Sequence, residues 1–150
     1  TYIFDTNILL HFVRETSLKH EIIKQFDPFG EGNDTWISVV TIGELRSLAM
    51  QNKWGKHKLA SMTTYISKIM ISDLNIEPLL NLYAEIDSFS QGKHPTITSN
   101  FSARNMGKND LWIAATASLL EGTLLTTDGD FNHLGGVFLR LGRMGGLKGV

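Results

Sequence analysis

The sequence has 150 residues, of which 42% are apolar, and a formal net charge of −1. These values suit one globular domain with a core of its own and exclude a disordered chain. The sequence has no cysteine, which excludes disulfides, thiolate metal sites and a cysteine nucleophile. Any metal must therefore be held by oxygen or imidazole ligands, a set that favours hard ions such as Mg²⁺ or Mn²⁺.

Two features of the chain bear on its location. It has no apolar run near the ~20 residues that a membrane-spanning helix needs. Its first residues, Thr1 to Asp5, reach a carboxylate without a preceding basic region, which is unlike a signal peptide. A cytoplasmic protein with no membrane partner is therefore expected.

Short apolar runs alternate with segments of helical periodicity along the chain. The runs predict strands at residues 2–4, 36–40, 69–71, 123–126 and 137–139. Helices are predicted over residues 8–26, after a cap at Thr41, over residues 57–68, from a cap at Asn75 to about residue 89, and over residues 111–120. Asp110 is expected to open the last of these helices.

Two segments lack periodicity. Residues 91–109 are rich in glycine, serine and asparagine, and such a long irregular stretch is typical of a functional or mobile loop. Residues 142–150 are rich in glycine and are expected to fray. The predicted organisation is one domain over residues 1–141, followed by a glycine-rich tail over residues 142–150.

The alternation of apolar strands with helices predicts a parallel sheet covered on both faces, a three-layer α/β/α fold. Ligands of such sheets bind beyond the carboxyl ends of the strands. Asp5 and Asp128 follow predicted strands, and Glu44 and Asp110 lie in the first turns of predicted helices. These four acids are therefore expected to converge at one edge of the sheet.

Each acid also has an ordinary structural interpretation. An aspartate at a helix start is most often an N-cap, and Asp128 with Gly129 and Asp130 resembles a turn. Four acids at one sheet edge are harder to explain in that way, because gathered carboxylates repel one another unless a cation or a proton intervenes. A divalent ion would neutralise them and could promote phosphoryl chemistry.

The basic residues offer two interpretations. No acid occurs between Glu44 and Asp73 or between Asp87 and Asp110, although both stretches contain lysine and arginine. They are either solvated surface or a phosphate-binding rim around an acidic centre. The candidates for contact with a nucleic-acid backbone are Lys53, Lys56, Lys58, Arg104 and Lys108. Trp54 could stack on a base, although packing is the simpler role.

Four segments carry a resemblance to a known family. They read DTN at residues 5–7, VVTIGEL at 39–45, NDLWIAATA at 109–117 and LTTDGDF at 125–131. In order and spacing they resemble the motifs of PIN-domain nucleases, and the third is very similar to the form found in VapC-type toxins of bacterial toxin–antitoxin pairs. The likeness extends from residue 1 to about residue 141.

The resemblance implies a Mg²⁺ or Mn²⁺ site and cleavage of single-stranded RNA. By position, Asp5, Glu44, Asp110 and Asp128 would be the metal-site and catalytic acids. Four further residues would orient carboxylates or water around them: Thr6, Asn7, Thr127 and Asp130. The family also implies a homodimer and inhibition by an antitoxin that enters the cleft.

The mechanism predicted with this set is in-line attack on phosphorus by metal-activated water, leaving a 5′-phosphate and a 3′-hydroxyl. A histidine ribonuclease would instead leave a cyclic phosphate. The histidines show no paired spacing and are interpreted as surface or locally satisfied residues: His11, His20, His57, His94 and His133.

Several alternatives stay open from the sequence. Receiver domains and haloacid-dehalogenase phosphatases also place an aspartate after the first strand. The former need further paired acids and a late lysine, and the latter need an acid where this chain has Asn7. Within the PIN family, a nuclease of RNA maturation or decay and a non-catalytic scaffold that binds RNA or a partner remain possible.

Overall fold

A computed structural model describes residues 1–145 of the chain. At its centre is a five-stranded parallel sheet with the strand order β3-β2-β1-β4-β5. The strands are β1 at Tyr2–Phe4, β2 at Thr35–Ser38, β3 at Met70–Ser72, β4 at Thr123–Thr126 and β5 at Arg140–Arg143. The predicted parallel three-layer fold is confirmed.

Helices connect the strands and cover both faces of the sheet. They are α1 at Thr6–Val13, α2 at Ser17–Phe26, α3 at Val39–Gln51, α4 at Lys56–Ile66, α5 at Glu77–Ser90 and α6 at Lys108–Leu119. A 3₁₀ helix, Gly129–Leu134, lies between β4 and β5. Within residues 1–145, no helix combines the length and apolar character needed to span a bilayer.

Neighbouring residues of the central strands point to opposite faces, which creates two cores. Ile3 and Leu124 pack with α5 and α6 in one core. Phe4 and Leu125 pack with α1, α2 and α3 in the other. This alternation follows from the two-residue period of a strand, and it explains why the strands are apolar throughout.

The second strand ends earlier than predicted. Val39 and Val40 were expected in the strand because they are β-branched, but they begin α3. Ser38 is the N-cap, and its hydroxyl accepts a hydrogen bond from the backbone N–H of Val40. The cap therefore outweighs the weak strand preference of two valines. Thr41, the predicted cap, is buried inside α3.

The other boundaries differ by smaller amounts. The stretch over residues 8–26 forms two helices, because Glu15 adopts a left-handed backbone with φ of 53° between them. The third strand begins one residue later than predicted, at Met70. Helix α5 begins at Glu77 with Ile76, not Asn75, at its N-cap. Asp110 lies in the first turn of α6 but is not its first residue.

The prediction for the last strand is wrong. The apolar run at residues 137–139 lies before β5, which runs from Arg140 to Arg143 and contains Gly142. Gly142 is buried against Leu125 and Phe26, so an apolar side chain is not needed to fill this part of the core. The boundary expected after residue 141 therefore falls inside β5, and residues 146–150 of the expected tail lie outside the described residues.

This packing predicts that Gly142→Ala destabilises the protein. A Cβ at this position would lie 3.2 Å from both the Phe26 ring and the Thr123 methyl group. We expect a loss of about 1–3 kcal/mol in the free energy of unfolding, measured by urea denaturation. Gly43→Ala is the matched control, because a Cβ there meets nothing within 4 Å and the site is in a helix. That change should stabilise by roughly 0.5–1 kcal/mol, and equal effects of both would contradict the packing of β5.

Candidate metal centre

The acids predicted from the sequence come from different elements around the carboxyl edge of the sheet. Asp5 follows β1 directly and caps α1. Asp128 follows β4 by two residues and caps the 3₁₀ helix. Asp110 lies in the first turn of α6, as predicted. Glu44 lies in the second turn of α3 and not in the first, because α3 begins at Val39, directly where β2 ends. Parallel strands thus bring acids from distant positions in the sequence to one side of the molecule.

The Asp5 carboxylate is nearly inaccessible, with 4% of the residue exposed. Its Oδ1 accepts a 2.7 Å hydrogen bond from the backbone N–H of Thr6, and its Oδ2 accepts a 2.8 Å bond from the hydroxyl of Thr126. Burial raises the pKa of Asp5 despite these bonds, and the charges of Asp128 and Glu44 add to the rise. Both oxygens are therefore fixed in direction before any ion binds.

Thr6 connects Asp5 to Glu44. Its backbone N–H binds Asp5, and its hydroxyl donates a 2.8 Å hydrogen bond to Oε1 of Glu44. The same hydroxyl lies 3.1 Å from that of Thr41, which is fully buried in α3. Thr6 therefore lies where it can orient the carboxylates of Asp5 and Glu44, which is the role predicted for it.

Three other carboxylates form the tightest group. Ligand oxygens of Asp110, Asp128 and Asp130 all lie within 4.8 Å of one another. Asp128 Oδ1 also accepts a 2.8 Å hydrogen bond from the backbone N–H of Asp130. Asp130, expected to be auxiliary, thus lies within the same 4.8 Å limit of Asp110 and Asp128.

The other two acids, Asp5 and Glu44, act on this group through their charges. The pKa of Asp110 is raised to about 7, first by burial and then by the charges of Asp5, Asp128, Glu44 and Asp130. Mg²⁺ and Mn²⁺ prefer hard oxygen ligands, and a divalent cation would neutralise the repulsion among these carboxylates. The donor set therefore fits a divalent ion.

One residue that positions the acids was not predicted from the sequence. The Thr126 hydroxyl donates to Asp5 and accepts a 2.9 Å hydrogen bond from the backbone N–H of Asp128. Thr127 was predicted instead, but the bond in which it takes part uses its carbonyl, which accepts from Nε of Arg143 at 3.4 Å. Asn7, also predicted, is exposed. The signal for Thr126 was its place at the end of β4, directly after two leucines and two residues before Asp128.

The basic candidates fall into two regions. Lys53, Lys56 and Lys58 surround the junction of α3 and α4, where the ammonium of Lys58 lies 5.1 Å from the centre of the Trp54 ring. Trp54 is 9% exposed and packs in a core, so the structure favours packing over base stacking. Arg104 and Lys108 are exposed on the segment that leads to Asp110, and the Arg104 guanidinium lies 5.9 Å from the Phe101 ring centre.

Comparisons with known proteins agree with this architecture. A family model described as the PIN domain matches residues 2–137. No curated protein sequence matches the chain. Among solved structures, VapBC2 of Rickettsia felis has a TM-score of 0.75 and 20% identity over 95% of this chain and 97% of that chain. VapBC-1 of nontypeable Haemophilus influenzae has a TM-score of 0.71 and 19% identity over 95% and 96%.

A more distant structural neighbour belongs to a similar complex. It is VapBC-5 of Mycobacterium tuberculosis, described as a toxin–antitoxin system, with a TM-score of 0.62 and 21% identity over 94% of this chain and 96% of that chain. At these identities the likeness shows a shared fold.

The position of Thr126 predicts a specific effect of Thr126→Val. The change removes the hydroxyl between two acid-bearing segments and leaves Oδ2 of the buried Asp5 without this donor. We expect a loss of about 1–3 kcal/mol of stability and a weaker Mn²⁺ affinity, measured by denaturation and titration calorimetry. Thr116→Val is the control, because its buried hydroxyl donates only to the Trp112 carbonyl of its own helix. Equal Mn²⁺ affinities of the two variants would contradict the role of Thr126.

The raised pKa of Asp110 predicts a pH-dependent effect of Asp110→Asn on metal-free protein. The folded chain binds the Asp110 proton more tightly than the unfolded chain, so unfolding free energy falls as the pH rises from 3.8 towards about 7. Allowing for partial exposure, Asp110→Asn should stabilise by about 1–2 kcal/mol at pH 8 and by much less at pH 4. Glu31→Gln changes an exposed acid and should show no such dependence. A stability difference for Asp110→Asn that is constant with pH would be the contrary result.

Proposed function

Because this chain belongs to the PIN domain family, we propose that it is an endoribonuclease that uses Mg²⁺ or Mn²⁺ to hydrolyse single-stranded RNA, and that it is the toxin of a toxin–antitoxin pair. The observation that carries the enzymatic part is the convergence of Asp110, Asp128 and Asp130 within 4.8 Å. The pKa of Asp110 is raised first by burial and then by neighbouring charges that include Asp5 and Glu44. A scaffold without activity would have no need of this repulsive arrangement.

The role proposed for each residue follows from its position. Asp110, Asp128 and Asp130 would hold the ion, with Asp5 bordering it and Glu44 either binding it or orienting water. An ion in this group would supply charge stabilisation at a phosphoryl oxygen and a lowered pKa of bound water. Thr6 and Thr126 keep the carboxylates of Asp5 and Glu44 directed by hydrogen bonds. No cysteine is available for a covalent route.

The proposed partners follow from the structural neighbours. The three described above come from VapBC complexes, and for one the printed description names a toxin–antitoxin system. A protein antitoxin that enters the acidic cleft, a homodimer of this chain and a cytoplasmic location complete the proposal. A PIN nuclease of RNA maturation or decay would use the same acids, and co-purification with a small neighbouring gene product distinguishes the two.

End-group analysis tests the proposed chemistry. A single-stranded RNA oligonucleotide incubated with the protein and Mg²⁺ or Mn²⁺ should yield 5′-phosphate and 3′-hydroxyl ends, and EDTA should abolish cleavage. Asp110→Asn should lower the rate by at least about 10²-fold, because it removes a ligand of the ion. Glu31→Gln, at an exposed acid, should cleave at the wild-type rate. Cyclic phosphate ends, or undiminished cleavage in chelator, would exclude the mechanism.

Salt dependence tests the basic rim. Each lost phosphate contact should reduce the slope of log affinity against log salt by about 0.7 for a single strand. RNA binding is measured in Ca²⁺, in which the RNA should stay uncleaved. The variants are Arg104→Ala, Lys108→Ala, and a triple variant in which Lys53, Lys56 and Lys58 are changed to alanine. We expect a flatter slope for Arg104 and Lys108, because they precede Asp110. An unchanged slope assigns a residue to the solvated surface.

A further inference from the structure

Ser90 and His133 form a partly buried polar pair that joins the two segments that carry Asp110, Asp128 and Asp130. Ser90 is the last residue of α5 and is fully buried, and His133 lies in the 3₁₀ helix that Asp128 caps. The Ser90 hydroxyl and His133 Nε2 are 2.7 Å apart.

A third residue shares the Ser90 hydroxyl. The hydroxyl donates a 3.3 Å hydrogen bond to the sulfur of Met106, and it lies 2.7 Å from His133 Nε2, where the tautomer of the ring decides which of the two atoms is the donor. Burial, followed by the charge of Arg104, lowers the pKa of His133 and favours a neutral ring, and a backbone hydrogen bond with Asp130 opposes that fall.

The same serine also holds the segment that leads to Asp110. Its carbonyl accepts a 2.7 Å hydrogen bond from the backbone N–H of Arg104, and its hydroxyl contacts Met106, which is 8% exposed. Met106 is followed by Gly107, the N-cap of the helix in which Asp110 occupies the first turn. Ser90 therefore binds one acid-bearing segment through Arg104 and Met106 and the other through His133.

Aromatic packing restricts the His133 ring to this position. It stacks on Phe89 with ring centres 6.3 Å apart and an interplanar angle of 8°. It meets Phe101 edge-on at 5.1 Å. The ring cannot turn away from Ser90 without losing these contacts, so movement of the 3₁₀ helix relative to α5 breaks the hydrogen bond.

We propose that the Ser90–His133 pair is a positioning device that sets the spacing between Asp110 and the Asp128–Asp130 turn. Those carboxylates repel one another without an ion, and a link between the two segments that carry them opposes their separation. Residues that orient ligands without touching the metal commonly change its affinity by about 10–100-fold. The inference rests on the proposed metal site and adds two residues that hold its ligands together.

The experiment compares variants that remove the hydrogen bond with one that keeps it. Ser90→Ala removes the hydroxyl, and His133→Phe keeps an aromatic ring but removes Nε2. His133→Gln places an amide, which can donate or accept, near the position of Nε2. Mn²⁺ affinity, measured by titration calorimetry, should fall on the order of 10-fold in the first two and recover in His133→Gln. The double variant Ser90→Ala/His133→Phe should bind no more weakly than either single variant, because all three lack the same link.

Thr35→Val separates this role from general stability. Thr35 is 3% exposed and donates a 2.7 Å hydrogen bond to the Pro28 carbonyl at the opposite, amino-terminal end of β2. It should lose stability as Ser90→Ala does while keeping the wild-type Mn²⁺ affinity. Wild-type affinity in both Ser90→Ala and His133→Phe, or an equal loss in Thr35→Val, would overturn the inference.

A second measurement does not depend on the metal. In metal-free protein, amide hydrogen exchange should quicken at residues 104–110 and 128–134 together in Ser90→Ala, and in neither segment in Thr35→Val. Faster exchange in one segment alone would overturn the coupling. If wild-type protein bound no Mn²⁺ but showed this coupled exchange, the proposed metal site would fail while the mechanical link stood.

Discussion

The structure depends on holding mutually repelling carboxylates at one edge of a parallel sheet. Burial, and then the charges of Asp5, Asp128, Glu44 and Asp130, raise the pKa of Asp110 to about 7. Such a group destabilises the folded chain when no cation is bound, because the unfolded chain separates the charges. The surrounding fold must therefore supply rigidity at the place where electrostatics opposes it.

Both cores contribute to that rigidity. Asp5 and Glu44 are carried by α1 and α3, which pack in the core that contains Phe4. Asp110 is carried by α6, which packs in the core that contains Ile3. The acids thus come from opposite faces of the sheet and meet beyond its edge. Thr126, at the end of β4, is hydrogen-bonded to Asp5 and to the backbone of Asp128, so the central strands directly set their separation.

The sequence predicted what depends on periodicity and on strand ends. Apolar runs identified β1 and β4 without error, and the parallel topology directed four acids to one edge. Competition between neighbouring local signals was harder to predict. The Ser38 cap turned Val39 and Val40 into helix, and β5 was missed because Gly142 fits closely against Leu125 and offers no apolar run.

Contacts between segments that are distant in the sequence could not be predicted. Thr126 hydrogen-bonds Asp5 across 121 positions of sequence, and Ser90 meets His133 across 43. A histidine with no paired spacing looks incidental in the sequence, since nothing local to residue 133 indicates that a serine at the end of α5 will face it. The sequence of the predicted irregular loop at residues 91–109 likewise gives no sign of the contacts that its residues make with Ser90. Its backbone has no regular structure over residues 91–107, yet Arg104 and Met106 are fixed to Ser90.

These features connect stability to metal binding. An ion that binds the folded chain and not the unfolded one stabilises it by RT ln(1 + [L]/Kd), which is about 2.7 kcal/mol at a hundredfold excess over Kd. An ion at the proposed site would stabilise the folded chain in this way, because it would remove the repulsion among Asp110, Asp128 and Asp130. The hydrogen bonds of Thr6 and Thr126 and the Ser90–His133 pair hold the same groups in place before the ion arrives. At the proposed site, pre-organisation would raise metal affinity, because it keeps part of the repulsion in the metal-free fold, where binding of an ion would relieve it.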